Sequence, residues 1–174
     1  MDIILKIAGG AAICVASALI GVYYSKNGQY RLNDLTDLKR ALILLKSEID
    51  FAQNALPDAL SNVGARTGGE IGGAFIKIAE RVSERRGELH LIWEDEISSG
   101  FKRTYLTKSD VDAVLQLGKI IGYMDKPLQA GNIDMAVSYI DQTSAALREK
   151  REKTSRLYTS LGILGGLLIT IIIL

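Results

Sequence analysis

The chain has one histidine, His90, and one cysteine, Cys14, among its 174 residues. His90 and Glu94 stand four apart, the spacing that puts an imidazole and a carboxylate on one helix face, with Glu88 and Asp95 close by. A zinc or transition-metal site needs more nitrogen or sulfur donors than one imidazole supplies. The spacing therefore reads as a solvated, charged helix face. A metal-dependent regulator using His90 and Glu94 is kept only as an alternative function. Nucleophilic catalysis has no better support. Cys14 lies in an apolar run, and His90 has no Ser or Asp in the sequence that marks itself as a triad partner. No catalytic, cofactor-binding or metal-ligating residue is assigned.

The glycine-rich stretch Gly68-Gly69-Glu70-Ile71-Gly72-Gly73 opens a helical pattern and invites comparison with a phosphate-binding loop. Such a loop needs Lys-Ser or Lys-Thr after its last glycine to reach the phosphates and magnesium. Ala74-Phe75 stands there instead, so the glycines read as a turn that permits close packing. A different chemistry belongs to Arg148-Glu149-Lys150-Arg151-Glu152-Lys153 and Arg156. Arg148, Lys150, Arg151, Lys153 and Arg156 form a basic face that either docks a cytoplasmic partner or rests at lipid headgroups, laced by i,i+4 pairs. The net charge of +1, from 21 basic and 20 acidic residues, implies no nucleic-acid partner.

The elements that must position these residues are helical. Proline occurs twice and strand-like alternation hardly at all. Leu35, Leu38, Leu42, Leu45, Ile49 and Ala52 step by three or four, with Asn33 or Asp34 as the cap. Pro57 starts a short second helix that Gly64 and Gly68-Gly69 interrupt. Ile71, Phe75, Ile78, Ala79 and Val82 mark a third, ending near Gly87. Leu89, Ile92, Trp93 and Ile97 mark a fourth, ending near Gly100. Thr107 and Asp110 form a capping box for a fifth, which carries Val111, Val114, Leu115 and Ile121 and closes at Gly122. After Asp125-Lys126-Pro127 a sixth carries Ile133, Val137, Ile140 and Leu147, with no strong breaker beyond Gly131. The expected fold is all-α, a bundle of five or six helices over residues 27–156.

Charge is absent from both ends. Ile7–Tyr24 and Leu157–Leu174 are each 18 residues without a charged side chain. A helix of that length spans about 27 Å, close to the roughly 30 Å hydrocarbon core of a bilayer. Residues 1–26 and 157–174 are accordingly expected to be transmembrane segments flanking the helical domain. The rival for the first is a cleaved signal peptide with an Ala16-Ser17-Ala18 site, against which Leu19-Ile20-Gly21-Val22 continues the apolar run. Lys26, Arg31, Lys39 and Arg40 after the first segment, and Arg148 to Arg156 before the second, put the middle in the cytoplasm by the positive-inside bias. Ser17 with Gly21, and Gly162 with Gly166, are small-xxx-small pairs suited to helix packing in a bilayer.

Three stretches resemble one family. Leu38-x-x-Ala41-Leu42-x-x-Leu45-x-x-Glu48-Ile49 with Leu56-Pro57-x-Ala59-Leu60, then Leu117-Gly118-x-x-x-Gly122-x-x-Asp125-x-x-x-Gln129, then Tyr158-x-x-Leu161-Gly162-x-Leu164-Gly165-Gly166-Leu167-Leu168 look like stage III sporulation protein AB. Lys126-Pro127 departs from that pattern. The resemblance implies a non-enzymatic membrane protein of the mother cell, in the membrane around the forespore, serving as platform subunit of a secretion-like channel complex. It implies a domain similar to the cytoplasmic domains of type II secretion and type IV pilus platform proteins. It implies as partners a secretion-type ATPase, stage III sporulation protein AA, other stage III A membrane proteins and membrane lipid, with no small-molecule substrate and no cofactor. The alternative is a generic membrane-anchored scaffold unrelated to sporulation.

Overall fold

The computed structural model describes residues 27–50, 55–85, 87–121 and 126–173, with the side chains of the last stretch described from 128 to 153. All regular structure among these residues is helical. Residues 27–50 form α1, Leu56–Thr67 α2, Gly69–Ser83 α3, Leu89–Gly100 α4, Lys108–Gly118 α5 and Lys126–Ile173 α6, with a 3-10 turn at Phe101–Arg103. The chain clusters into two compact units, Arg31–Ser144 and the pair of terminal stretches Met1–Tyr30 and Ala145–Leu174.

Within Arg31–Ser144, the leucine stripe of α1 is the largest single contribution to the core. Leu35, Leu38, Leu42 and Leu45 are fully buried, and burying a leucine is worth roughly 1.5–3 kcal/mol. Ile133, Ala136 and Ile140 of α6 join it, as do Leu60, Phe75, Ile78, Ile92, Ile97 and Val114 from the shorter helices. Trp93 is fully buried in α4. Its indole Nε1 donates to the Val114 carbonyl at 3.0 Å, and its ring meets Phe75 edge-on at 5.7 Å. A side chain on Gly118 would run into the indole, so α5 approaches α4 on bare backbone.

The glycine-rich stretch is a helix hairpin. Gly68 and Gly69 take φ of 69° and 60°, a turn that closes α2 and opens α3. Gly64 does not interrupt α2, as the sequence suggested; it lies inside the helix. A Cβ there would stand 2.6 Å from Ile76 Cγ1 and 2.7 Å from the Gly72 carbonyl oxygen. The missing side chains of Gly64 and Gly72 let the two backbones touch. α3 stops at Ser83, short of Gly87, and α5 at Gly118, after which Lys119, Ile120 and Ile121 bond back to Gln116 and Leu117 in a turn. α6 begins at Lys126, with Pro127 in its first turn where the missing N–H costs nothing.

The localisation expected from the sequence, a cytoplasmic domain held between two membrane spans, is overturned. Among the described residues no helix is long and apolar enough to cross a membrane. The described side chains of α6 show why: Asp134 and Asp141 interrupt it, and Arg148 to Lys153 are six consecutive charged residues, each costly to take into hydrocarbon. Residues 1–26, with Cys14, Ser17 and Gly21, lie outside the described residues. So do Ala52, Gly122 and Asp125, and nothing describes the packing of Gly162 and Gly166 or the Arg156 side chain.

Candidate functional site

The basic face on α6 is divided by its surroundings. Arg148 and Lys150 are exposed and have no ion-pair partner among the described residues. Lys153 is exposed as well, yet its Nζ stands 2.7 Å from Glu149 Oε1 in an i,i+4 pair. Arg151 turns the other way. Its guanidinium donates through Nη1 to Gln29 Oε1, its aliphatic stem lies 3.5 Å from where Gly28 would carry a Cβ, and its Nε is buried without a hydrogen-bond partner. Of the four cations whose side chains are described, Arg148 and Lys150 are the two left to meet a partner's carboxylates.

A second charged cluster was only half legible in the sequence. Thr107 and Asp110 form the expected capping box of α5, the Asp110 carboxylate accepting from the Thr107 amide at 2.7 Å. Asp110 is also fully buried. Arg31 of α1 grips it at both oxygens, Nε to Oδ2 at 2.9 Å and Nη2 to Oδ1 at 3.0 Å. Thr107 Oγ1 bonds Oδ2 at 2.8 Å and the Tyr139 hydroxyl of α6 donates to Oδ1 at 3.1 Å. Burial by itself would push the Asp110 carboxyl up, but the Arg31 guanidinium and the Thr107 donors outweigh it and hold the pKa below the usual carboxylate value. Tyr139 is pushed up by burial and by the neighbouring Asp110 anion. A carboxylate with its lone pairs fully engaged and its pKa depressed is a poor proton acceptor. The cluster fastens α1, α5 and α6 together. Alongside it, the Tyr105 amide donates to Asp34 Oδ2 at 2.6 Å, so the segment before α5 is held to α1 twice.

His90 is half-buried, and its Nδ1 stands 3.4 Å from Glu88 Oε2. Glu94 is exposed, and Asp95 pairs with Arg81 on α3. Among the described residues no three His, Cys, Asp or Glu side chains are placed to hold a metal ion.

The sequence model of the family described as stage III sporulation protein AB matches residues 6–174. The chain belongs to that family. Its biological setting is therefore sporulation. It is 23% identical over 170 residues to stage III sporulation protein AB of Bacillus subtilis (strain 168), an alignment covering 98% of this chain and 99% of that one. A solved structure of stage III sporulation protein AB (SpoIIIAB) superposes with a TM-score of 0.66 at 18% identity, over 71% of this chain and 98% of the other. That likeness establishes a shared helical fold. Neither relative bears the name of an enzyme.

Proposed function

We propose that this protein is a non-enzymatic platform subunit of a sporulation-specific, secretion-like complex, and that it docks a secretion-type ATPase of the stage III sporulation protein AA kind. The family match over nearly the whole chain carries the reading. The structure supports it in two ways. The buried carboxylate of Asp110 is engaged by five donors, and Asp95 pairs with Arg81. Arg148 and Lys150 are exposed two residues apart, on different sides of α6, where each is free to meet a partner's carboxylate.

Capture of the purified ATPase by the full chain tests the reading. Wild-type protein should retain it, and Arg148→Glu with Lys150→Glu should lose most of that retention, more at low than at high salt. Spore yield of a strain carrying the double variant should fall in parallel. Capture that ignores both the charge reversal and salt would remove these two side chains from the interaction. Failure of the wild-type chain to hold the ATPase would remove the docking role itself.

A further inference from the structure

α1 and α6 run antiparallel in one constant register. Lys46 pairs with Asp134 at 2.6 Å, and Lys39 with Asp141 at 2.6 Å. Arg151 donates to Gln29. In each pair the two residue numbers add to 180, so a step toward the start of α1 is matched by an equal step toward the end of α6. The first two pairs belong to the unit Arg31–Ser144 and the third to the unit of terminal stretches, and each unit keeps the same register. The buried stripe of α1 steps by three and four through Ile49, Leu45, Leu42, Leu38 and Leu35, the repeat of a two-helix coil. Two positions further along that repeat stands Gly28, where the Arg151 stem lies 3.5 Å from the place of a Cβ. The described part of α1 starts at residue 27, whereas α6 continues as helix to Ile173.

We infer that residues 7–24 of this same chain cover the far part of α6, paired with it antiparallel in the register of α1. Three observations select that segment. Carried outward, the register sets residues 7–24 opposite 156–173. The two uncharged stretches of the sequence are 7–24 and 157–174, so they start and stop opposite each other within one residue. Next, the interface is already formed as far as Gly28 and Arg151, four residues from Tyr24, and no proline before Pro57 interrupts the chain. Finally, tethering decides between occupants. A segment joined to Gly28 by three residues meets α6 at an effective concentration of about a millimolar or more, which a second copy must match to displace it. One heptad beyond the Gly28–Arg151 contact the register brings Gly21 to Tyr158, and two heptads beyond it Cys14 to Gly165. The two uncharged ends thereby remove each other's apolar surface from water.

The test uses the full chain, which has Cys14 as its single cysteine. With Gly165→Cys added, copper–phenanthroline oxidation should join positions 14 and 165 in most molecules, read by mass spectrometry. Leu167→Cys, about 200° round the helix, and Ile172→Cys, one heptad along, should each link about tenfold less. In a mixture of isotopically light and heavy chains carrying Gly165→Cys, the links should stay within light or within heavy chains. A second measurement needs no added cysteine. Cys14→Asp puts a charge on the pairing stripe and should speed amide exchange of residues 157–172 by about tenfold or more, with α3 unchanged. Absence of the 14–165 link in a chain with wild-type helical circular dichroism overturns the inference, and so does equal linking at position 167 or 172. Links between light and heavy chains as frequent as those within them would make a second copy the occupant and overturn it as well. Exchange in 157–172 that ignores Cys14→Asp has the same consequence.

Discussion

Asp110 shows how one side chain can serve two structures. As the third residue of α5 it returns a bond to the Thr107 amide, and as a buried anion it receives the Arg31 fork from α1. Arg31→Ala leaves that anion buried without its cation, which should cost about 3 kcal/mol in chemical denaturation at neutral pH. Arg31→Lys should recover only part, since an ammonium lacks the planar fork that donates to both carboxylate oxygens and also to Thr107 Oγ1. The pH dependence follows from the depressed pKa. The folded state holds fewer protons on Asp110 than the unfolded chain, so its stabilisation is present above about pH 4 and is lost as pH falls through the lower folded value. Asp34 has the opposite sign: burial, not fully offset by the Tyr105 amide, raises its pKa, so acid relieves a cost there. Asp110→Asn should therefore destabilise at pH 7, and its difference from wild type should shrink in denaturation measured near pH 3.

Among the helices, the pairing of α2 with α3 depends on two absent side chains. Gly64→Ala would place a methyl 2.6 Å from Ile76 Cγ1 and 2.7 Å from the Gly72 carbonyl, and backbone cannot yield as a side chain can. The expected loss is about 2 kcal/mol despite alanine's better helix propensity. Gly131→Ala on α6 meets open space and should be neutral or slightly stabilising, so comparing the two melting temperatures separates a packing glycine from a merely exposed one. The α1 stripe gives a harsher test. Leu45 is fully buried, and Leu45→Asp puts an unpaired carboxylate into the core at a cost of several kcal/mol, visible as loss of cooperative unfolding.

For the molecule as a whole, the question is whether the exposed cations serve binding or folding. Arg148 and Lys150 reach solvent without partners among the described residues, so reversing both should leave the unfolding midpoint unchanged while reducing ATPase capture. Arg151→Ala is the control with the opposite pattern. It removes a half-buried stem packed beside Gly28 and the bond to Gln29, so it should lower stability and leave capture nearly intact. A capture loss confined to Arg151→Ala would transfer the docking role away from the exposed pair.

The sequence by itself determined what local physics controls. Leucines three and four apart, with proline scarce, leave a helix as the way to bury Leu35 to Ile49 on one side. The Thr107–Asp110 box starts α5 because its bonds join residues three apart. The family was legible for the same reason, through spaced motifs along nearly the whole chain. What only the tertiary structure decided involves partners distant in sequence. Asp110 meets Arg31 across 79 positions, and Arg151 meets Gln29 across 122. Gly64 read as a break because a lone glycine disfavours a helix, and only the nearness of Gly72 and Ile76 makes that glycine necessary inside one. The five cations near residue 150 looked equivalent for the same reason. Charge is written in the sequence, but whether a charge is free depends on what the fold brings within about 4 Å of it.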